Sequence, residues 1–307
     1  MNGLCITSYL NFLSDQQLGF RKGFSTSMAA LDLVNYINGG FEKRECTLSI
    51  FVDLSKAFDT VDHHILLQKL NYYGARGVMY NWFKGYLTNR KQLVRVNGHC
   101  SSFSSITCVV PQGSILGPLL FLVYINDLPY ASSKLKFILF ADDTSILFRT
   151  KNPSSIVPLL NDELILVSNW FKINKLSLNV KKTNFMIFQN RTQSYKDLEI
   201  NVNGSPIKQT NNIKFLGLLI DPHLSWKDHI NHLCNKLSRI VGVLYRVRFQ
   251  LPSKILLTLY NSLIFSAISY CNIVWGNTFS TYVNKLFILQ KRTIRLITST
   301  DYSADLN

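Results

Sequence analysis

The sequence predicts an α+β fold, and three of its features carry that expectation. Short apolar runs rich in β-branched and aromatic residues are cut by turn signals, including Asn97-Gly98 and Asn203-Gly204, the pattern of antiparallel hairpins. Longer segments between them repeat their apolar residues at helical spacing. From about Trp226 onward the pattern is helical and basic.

In chain order, Gln17-Leu-Gly-Phe-Arg-Lys-Gly-Phe-Ser-Thr26 is glycine-spaced and basic. A helix carrying Met28, Leu31, Val34 and Ile37 comes next, capped by Ser25 or Thr26. Thr47 to Val52 is an apolar strand ending on an acid, Asp53. Asp59 is expected to cap the helix with Ile65, Leu66, Leu67 and Leu70, and Asp62 to lie in its first turn, where negative charge is favoured. A second helix covers Val78 to Leu87. Lys91 to His99 reads as a strand with an Asn-Gly turn whose partner runs through Ile106 to Val110. Pro111-Gln-Gly-Ser114 then leads into Ile115 to Leu128, a segment apolar almost all round and therefore a buried helix.

Phe137 to Phe148 gives two strands meeting at the adjacent acids Asp142 and Asp143. Ile156 to Ile173 is amphipathic, with Leu160, Leu164, Val167, Trp170 and Phe171 on one face. It leads to Leu176 to Thr183 and the strand Asn184 to Phe188. Leu198 to Ile207 is a hairpin, Ile213 to Asp221 a strand, and helices are expected near Trp226 to Arg248, Ser253 to Tyr270 and Tyr282 to Ile297.

Composition narrows the class of function. The 307 residues suffice for one large domain or two modest ones. A formal net charge of +15 and a pI near 9.6 make an acidic polymer the expected partner. Nine Lys and Arg against two acids give +7 from Ile230 to the end, so charge is densest there. The six cysteines show no paired short spacing, which supports neither a zinc site nor a secreted disulfide framework. An intracellular setting, cytoplasm and nucleus, is the expectation. Ile255 to Trp275 is the one segment that could pass for a membrane span, but Asn261, Ser262, Ser266, Ser269 and Asn272 interrupt it. No signal peptide is read at Met1.

The chemistry concentrates on carboxylates. Two neighbouring acids at the tip of a half-buried hairpin repel each other unless a cation neutralises them. Hard oxygen ligands suit Mg²⁺. Taken alone, the pair could be a solvated turn. If the Thr47 strand lies beside the hairpin, however, Asp53 joins the pair. Three carboxylates could then hold two Mg²⁺ ions about 3.5–4 Å apart, the spacing of two-metal phosphoryl transfer.

Three motifs stand in a fixed order: Val52-Asp-Leu-Ser-Lys-Ala-Phe-Asp-Thr-Val-Asp-His63, Pro111-Gln-Gly-Ser114 and Phe140-Ala-Asp-Asp-Thr144. In them the chain resembles the reverse transcriptases of non-LTR (LINE-type) retrotransposons, of a jockey-like lineage, from about Gln17 to about Thr298. That resemblance implies a right-hand polymerase: a palm of antiparallel sheet backed by helices and partial fingers within residues 1–222, and a basic helical thumb over residues 223–307. It implies an RNA-directed DNA polymerase acting on RNA template, DNA primer and dNTP.

Asp53, Asp142 and Asp143 would be the catalytic metal ligands, for two Mg²⁺ with Mn²⁺ as the alternative ion. For substrate, it implies Arg21 on the triphosphate, Phe58 under the sugar as a barrier to a 2′-hydroxyl, Gln112 and Gly113 placing the nucleotide and template base, and Lys182 near the leaving pyrophosphate. By chemistry alone Lys181 serves equally well in that last role. Phe215, Leu216 and Gly217 would grip the primer.

The pattern departs from the family at its ends. The upstream motif with an Arg-Pro-Ile-Ser core, an endonuclease domain and a basic tail are not read in the chain. A rival reading is therefore a catalytically inactive, truncated retroelement fragment that keeps nucleic-acid binding. Membrane attachment through Ile255 to Trp275 ranks last.

Overall fold

Ser25 sits in extended backbone and its hydroxyl accepts a hydrogen bond from the Met28 N–H, so the first helix, α1 (Thr26–Glu42), starts where the sequence caps it. The structure is a computed structural model, and it describes residues 12–105, 108–110, 113–190 and 198–298. The strand β1 (Cys46–Val52) is buried along its whole length. The next helix, α2 (His63–Tyr72), corrects an expectation. Its cap is Asp62, whose carboxylate accepts from the His64 and Ile65 N–H groups at 3.0 Å each, and not Asp59, which closes a short 3₁₀ turn at Ala57–Asp59. An acid caps only from the residue directly before the first turn, and Asp59 stands three positions too early.

After α3 (Gly77–Leu87) come four two-residue strands: β2 (Lys91–Gln92), β3 (Arg95–Val96), β4 (His99–Cys100) and β5 (Ser104–Ser105). Asn97 and Gly98, at φ 49° and 85°, make the expected turn. The return strand is earlier than expected, because a two-residue turn pairs Val96 with His99 at once. Cys108 bridges to Asp62, and the Val109 and Val110 N–H groups bond to the Val61 and Phe58 carbonyls. The buried helix α4 (Leu116–Ile125) appears as expected, and then the hairpin β6 (Lys136–Phe140) and β7 (Asp143–Thr150).

The rest of the sheet region comprises α5 (Pro153–Ile173), β8 (Asn184–Phe188), the hairpin β9 (Asn201–Val202) and β10 (Ser205–Pro206), and β11 (Lys208–Gln209). The expected strand Ile213 to Asp221 is instead a tight hairpin, β12 (Ile213–Phe215) and β13 (Leu218–Ile220). Leu216 and Gly217 turn it at φ 44° and 85°, a conformation glycine supplies without steric cost.

The remaining helices are α6 (Lys227–Val247), α7 (Ser253–Leu259), α8 (Ser266–Ser269), α9 (Asn272–Trp275) and α10 (Ser280–Thr298). The single helix expected over Ser253 to Tyr270 carries a π turn at Tyr260–Phe265 between α7 and α8. The serines that break its hydropathy also compete for its backbone: Ser262 and Ser266 donate to the carbonyls four residues back. Among the described residues no helix is long and apolar enough to cross a membrane.

The main sheet runs β11-β8-β1-β7-β6, antiparallel except for the β11–β8 pair. Strand alternation splits its side chains between two cores. Leu48, Ile50, Val52, Phe137, Leu139, Phe185 and Ile187 face one side with α2, α4 and α5. Phe51, Ile138, Leu147, Met186 and Phe188 face the other with α1. Each fully buried phenylalanine contributes about 1.5–3 kcal/mol. Trp226, Ile230, Leu233 and Leu237 of the basic helical region join this second core. The C-terminal helices therefore pack onto the main sheet without a separate core of their own.

Candidate active site

Register decides where the acids meet. Val52 pairs with Thr144 and Phe140 with Asp143, so Asp53, one step beyond the end of β1, reaches the same edge of the sheet as Asp143. Asp142 occupies the two-residue turn behind Ala141, which is held at φ 56°. That turn is braced from the N-terminal segment. The buried Gln17 side-chain carbonyl accepts from the Ala141 N–H at 3.0 Å and the Gly19 N–H at 2.8 Å. Gly19 is required, since a Cβ there would stand 2.4 Å from the Ala141 nitrogen. On the other side the Asp53 N–H donates to Thr183 Oγ1 at 3.2 Å, and the Asn179 N–H donates to the Asp53 carbonyl at 2.8 Å.

Gln17, Gly19 and Thr183 do not stand out from sequence as site residues. The glycine spacing at Gly19 is the only signal, and it points to a loop.

The acids share one field. Burial, then the charges of Asp142 and Asp53, push the Asp143 carboxyl above the usual carboxylate range. Its side chain reaches solvent, so water screens part of that repulsion. None of the four ion pairs among the described residues involves these acids. This unneutralised set of hard oxygen donors fits a divalent cation. Among the described residues, however, no three His, Cys, Asp or Glu side chains stand as a ready-made metal cluster.

Beside Asp143 a cavity of about 250 Å³ runs from Val52 and Thr144 to Lys214, Phe215, Leu216 and Gly217. The β12–β13 turn and the acids thus border the same space. Lys182 lies exposed on the turn that begins at Asn179, its N–H donating to the Asn179 carbonyl at 3.0 Å, beside the equally exposed Lys181.

Other expected site residues make their contacts elsewhere. Arg21 donates from Nη1 to the carbonyls of Ser14 and Gln17 and lies 4.7 Å from the Phe24 ring centroid. Phe58 is half-buried with its ring centroid 4.5 Å from that of Phe121. Gly113 takes φ 80° in open space. Gln112 lies outside the described residues.

Residues 1–220 match the family described as reverse transcriptase (RNA-dependent DNA polymerase). The chain belongs to the reverse transcriptase family. Reverse transcriptases generally use divalent metal ions, in keeping with the acidic edge.

Within the family, this reverse transcriptase is 29% identical over 309 residues to the "Probable RNA-directed DNA polymerase from transposon BS" of Drosophila melanogaster, covering 94% of this chain and 33% of that one. It is 29% identical over 293 residues to the "RNA-directed DNA polymerase from mobile element jockey" of the same organism, covering 92% and 31%. The jockey-like resemblance read from the motifs is thereby upheld. The chain spans about a third of the length of these curated relatives. Among solved structures, a telomerase from Candida albicans aligns over 97% of this chain and 52% of its own at 12% identity, with a TM-score of 0.49.

Proposed function

We propose that this reverse transcriptase is an RNA-directed DNA polymerase of a jockey-like retrotransposon, extending a DNA primer with dNTP on an RNA template. One observation carries the reading: the β1–β7 register gathers Asp53, Asp142 and Asp143 at one sheet edge with no cation among the described residues to neutralise them. These carboxylates would hold two Mg²⁺ ions, with Mn²⁺ as the alternative. The bound ions would supply the Lewis acidity for attack of the primer 3′-hydroxyl on the α-phosphate and for pyrophosphate departure.

The chain's own residues bind and orient. Backbone at Phe215, Leu216 and Gly217 steadies the primer end across the cavity shared with Asp143. Lys182, or Lys181 beside it, meets the pyrophosphate from the turn tied to Asp53. Arg21 offers the triphosphate the donors that its own loop leaves open. Phe58, fixed against Phe121, bars a 2′-hydroxyl. Gln112 and Gly113 are assigned to placing the nucleotide and the template base. Residues 1–222 act as palm and partial fingers, and the basic helices from 223 onward close over duplex as a thumb, in an intracellular, nuclear and cytoplasmic setting.

Primer extension on an RNA template with Mg²⁺ tests this. Asp142→Asn should abolish extension while template binding persists, and full activity in that variant sinks the assignment. Template binding by the parent chain without extension would favour the inactive-fragment reading, which the intact acids argue against.

A further inference from the structure

A cavity of about 760 Å³ lies far out on the helices, where the C-terminal half of α6 faces the C-terminal half of α10. Its lining brings together four arginines, Arg246 from α6, Arg248 just past its end, and Arg292 and Arg295 from α10, with Tyr245, Phe249 and Gly242 between them. Among the described residues no carboxylate lines it. We propose that this groove binds a stretch of single-stranded nucleic acid, at a place separate from the catalytic acids.

Three observations support it. The first is location. The start of α6 is fixed to the palm by the Leu219 N–H bond to His229, and Ser238, where the groove begins, stands roughly 14 Å further along the helix axis at 1.5 Å per residue. A strand held here is thus two to three helical turns or more away from the β13 end that borders the primer-side hairpin.

The second is charge. Guanidinium forks grip phosphate oxygens bidentately, and a set of them with no acid between among the described residues is complementary to a polyanion.

The third distinguishes single strand from duplex. Phe249 is 84% exposed and Tyr245 55% exposed. The Arg248 guanidinium lies 3.8 Å from the Tyr245 ring centroid and 4.5 Å from that of Phe249, so one cation holds both rings. Open aromatic faces beside arginines offer stacking surfaces, which unpaired bases can use and a closed duplex cannot. Gly242 widens the groove, since a Cβ built there meets nothing within 4 Å.

The test is fluorescence anisotropy of labelled twelve-nucleotide rU and dT oligomers with the full chain across a salt series. A blunt twelve-base-pair duplex and a twelve-residue poly-Glu peptide serve as competitors. Arg246→Ala/Arg292→Ala should weaken oligomer binding roughly tenfold or more and flatten the log–log salt slope by about 1.4, at about 0.7 per lost phosphate contact. Gly242→Leu, which improves helix propensity and so leaves folding intact, should weaken binding by filling the groove while every charge remains.

Weakened binding of either oligomer in both groove variants supports the proposal, and the ratio of the two losses identifies the preferred sugar. Wild-type affinity and slope in both variants overturn it, as does a duplex affinity that Gly242→Leu lowers as much as it lowers oligomer affinity. Equal competition by poly-Glu would instead assign the groove to an acidic peptide and also overturn it. The outcome is separate from the polymerase reading, because Asp142→Asn should bind the oligomers as the parent does whether or not the parent extends a primer.

Discussion

The Tyr270 hydroxyl donates to the Leu216 carbonyl at 2.7 Å, so a residue just past the last turn of α8 holds the hairpin turn that faces Asp143. The same ring closes on Gly217, where an added Cβ would stand 3.3 Å from it. Gly217→Ala therefore meets two obstacles: left-handed backbone, costing about 1–2 kcal/mol, and a crowded ring. We expect a lowered Tm and, in primer extension, a raised KM for primer–template with the KM for dNTP little changed. Tyr270→Phe should reproduce the kinetic split with a smaller loss of stability. Equal shifts in both KM values would mean that the turn acts on overall folding alone.

Asp143 separates stability from activity. Its carboxyl is held above the usual range by burial and by Asp142 and Asp53, so the charged form opposes the fold at neutral pH. Without metal, stability at this group is therefore regained as pH falls through its raised folded value. Asp143→Asn should accordingly raise the Tm of the metal-free chain at pH 7 while abolishing extension. Added Mg²⁺ should raise the Tm of the parent but not of the variant. A variant less stable than the parent at pH 7 would contradict the electrostatic account.

Much of this architecture is legible in the sequence because it is local or periodic. The acids at strand ends, the Asn-Gly turns and the all-round apolar α4 each declare themselves within a dozen residues. What the sequence hides depends on partners far along the chain. Gln17 braces Ala141 across 124 positions and Thr183 holds Asp53 across 130, and no periodicity marks such pairs. The β12–β13 turn is hidden for a different reason. Ile213 to Asp221 is apolar nearly throughout, and one glycine in such a run reads as a strand interior until tertiary packing selects its positive φ. The Asp59 cap fails by three residues, close to the scale on which helix boundaries slip.

Phe58 carries two roles that one variant can separate. Its ring is half-buried on Phe121, so Phe58→Ala should cost about 2 kcal/mol, below the range for a fully buried phenylalanine. If the ring also bars a 2′-hydroxyl, the variant should incorporate ribonucleotides at least about tenfold better relative to deoxynucleotides, the effect of losing about 1.4 kcal/mol of discrimination. Running-start extension with mixed nucleotide pools measures the ratio. A destabilised variant with unchanged sugar preference would leave Phe58 as core packing only.

His229 should make the seating of α6 on the palm pH-dependent. It is 3% exposed, its ring centroid lies 6.2 Å from that of Trp226 and 5.5 Å from that of Trp275, and Nδ1 accepts the Leu219 N–H at 3.3 Å. Nδ1 as acceptor leaves the proton on Nε2, a buried atom with no partner among the described residues. Burial first, then the neighbouring His232, lower its pKa to about 4. The fold thus favours the neutral ring, while the unfolded chain takes up a proton near the ordinary histidine value of about 6.5. The stability this neutral ring contributes is present above about pH 6.5 and is lost as pH falls through about 4, amounting to about 3 kcal/mol at the acid end. Denaturant unfolding of the parent and of His229→Gln between pH 7 and pH 4 measures it. The parent should lose more stability than the variant across that window, and parallel curves would show that protonation at this position leaves the helix seat undisturbed.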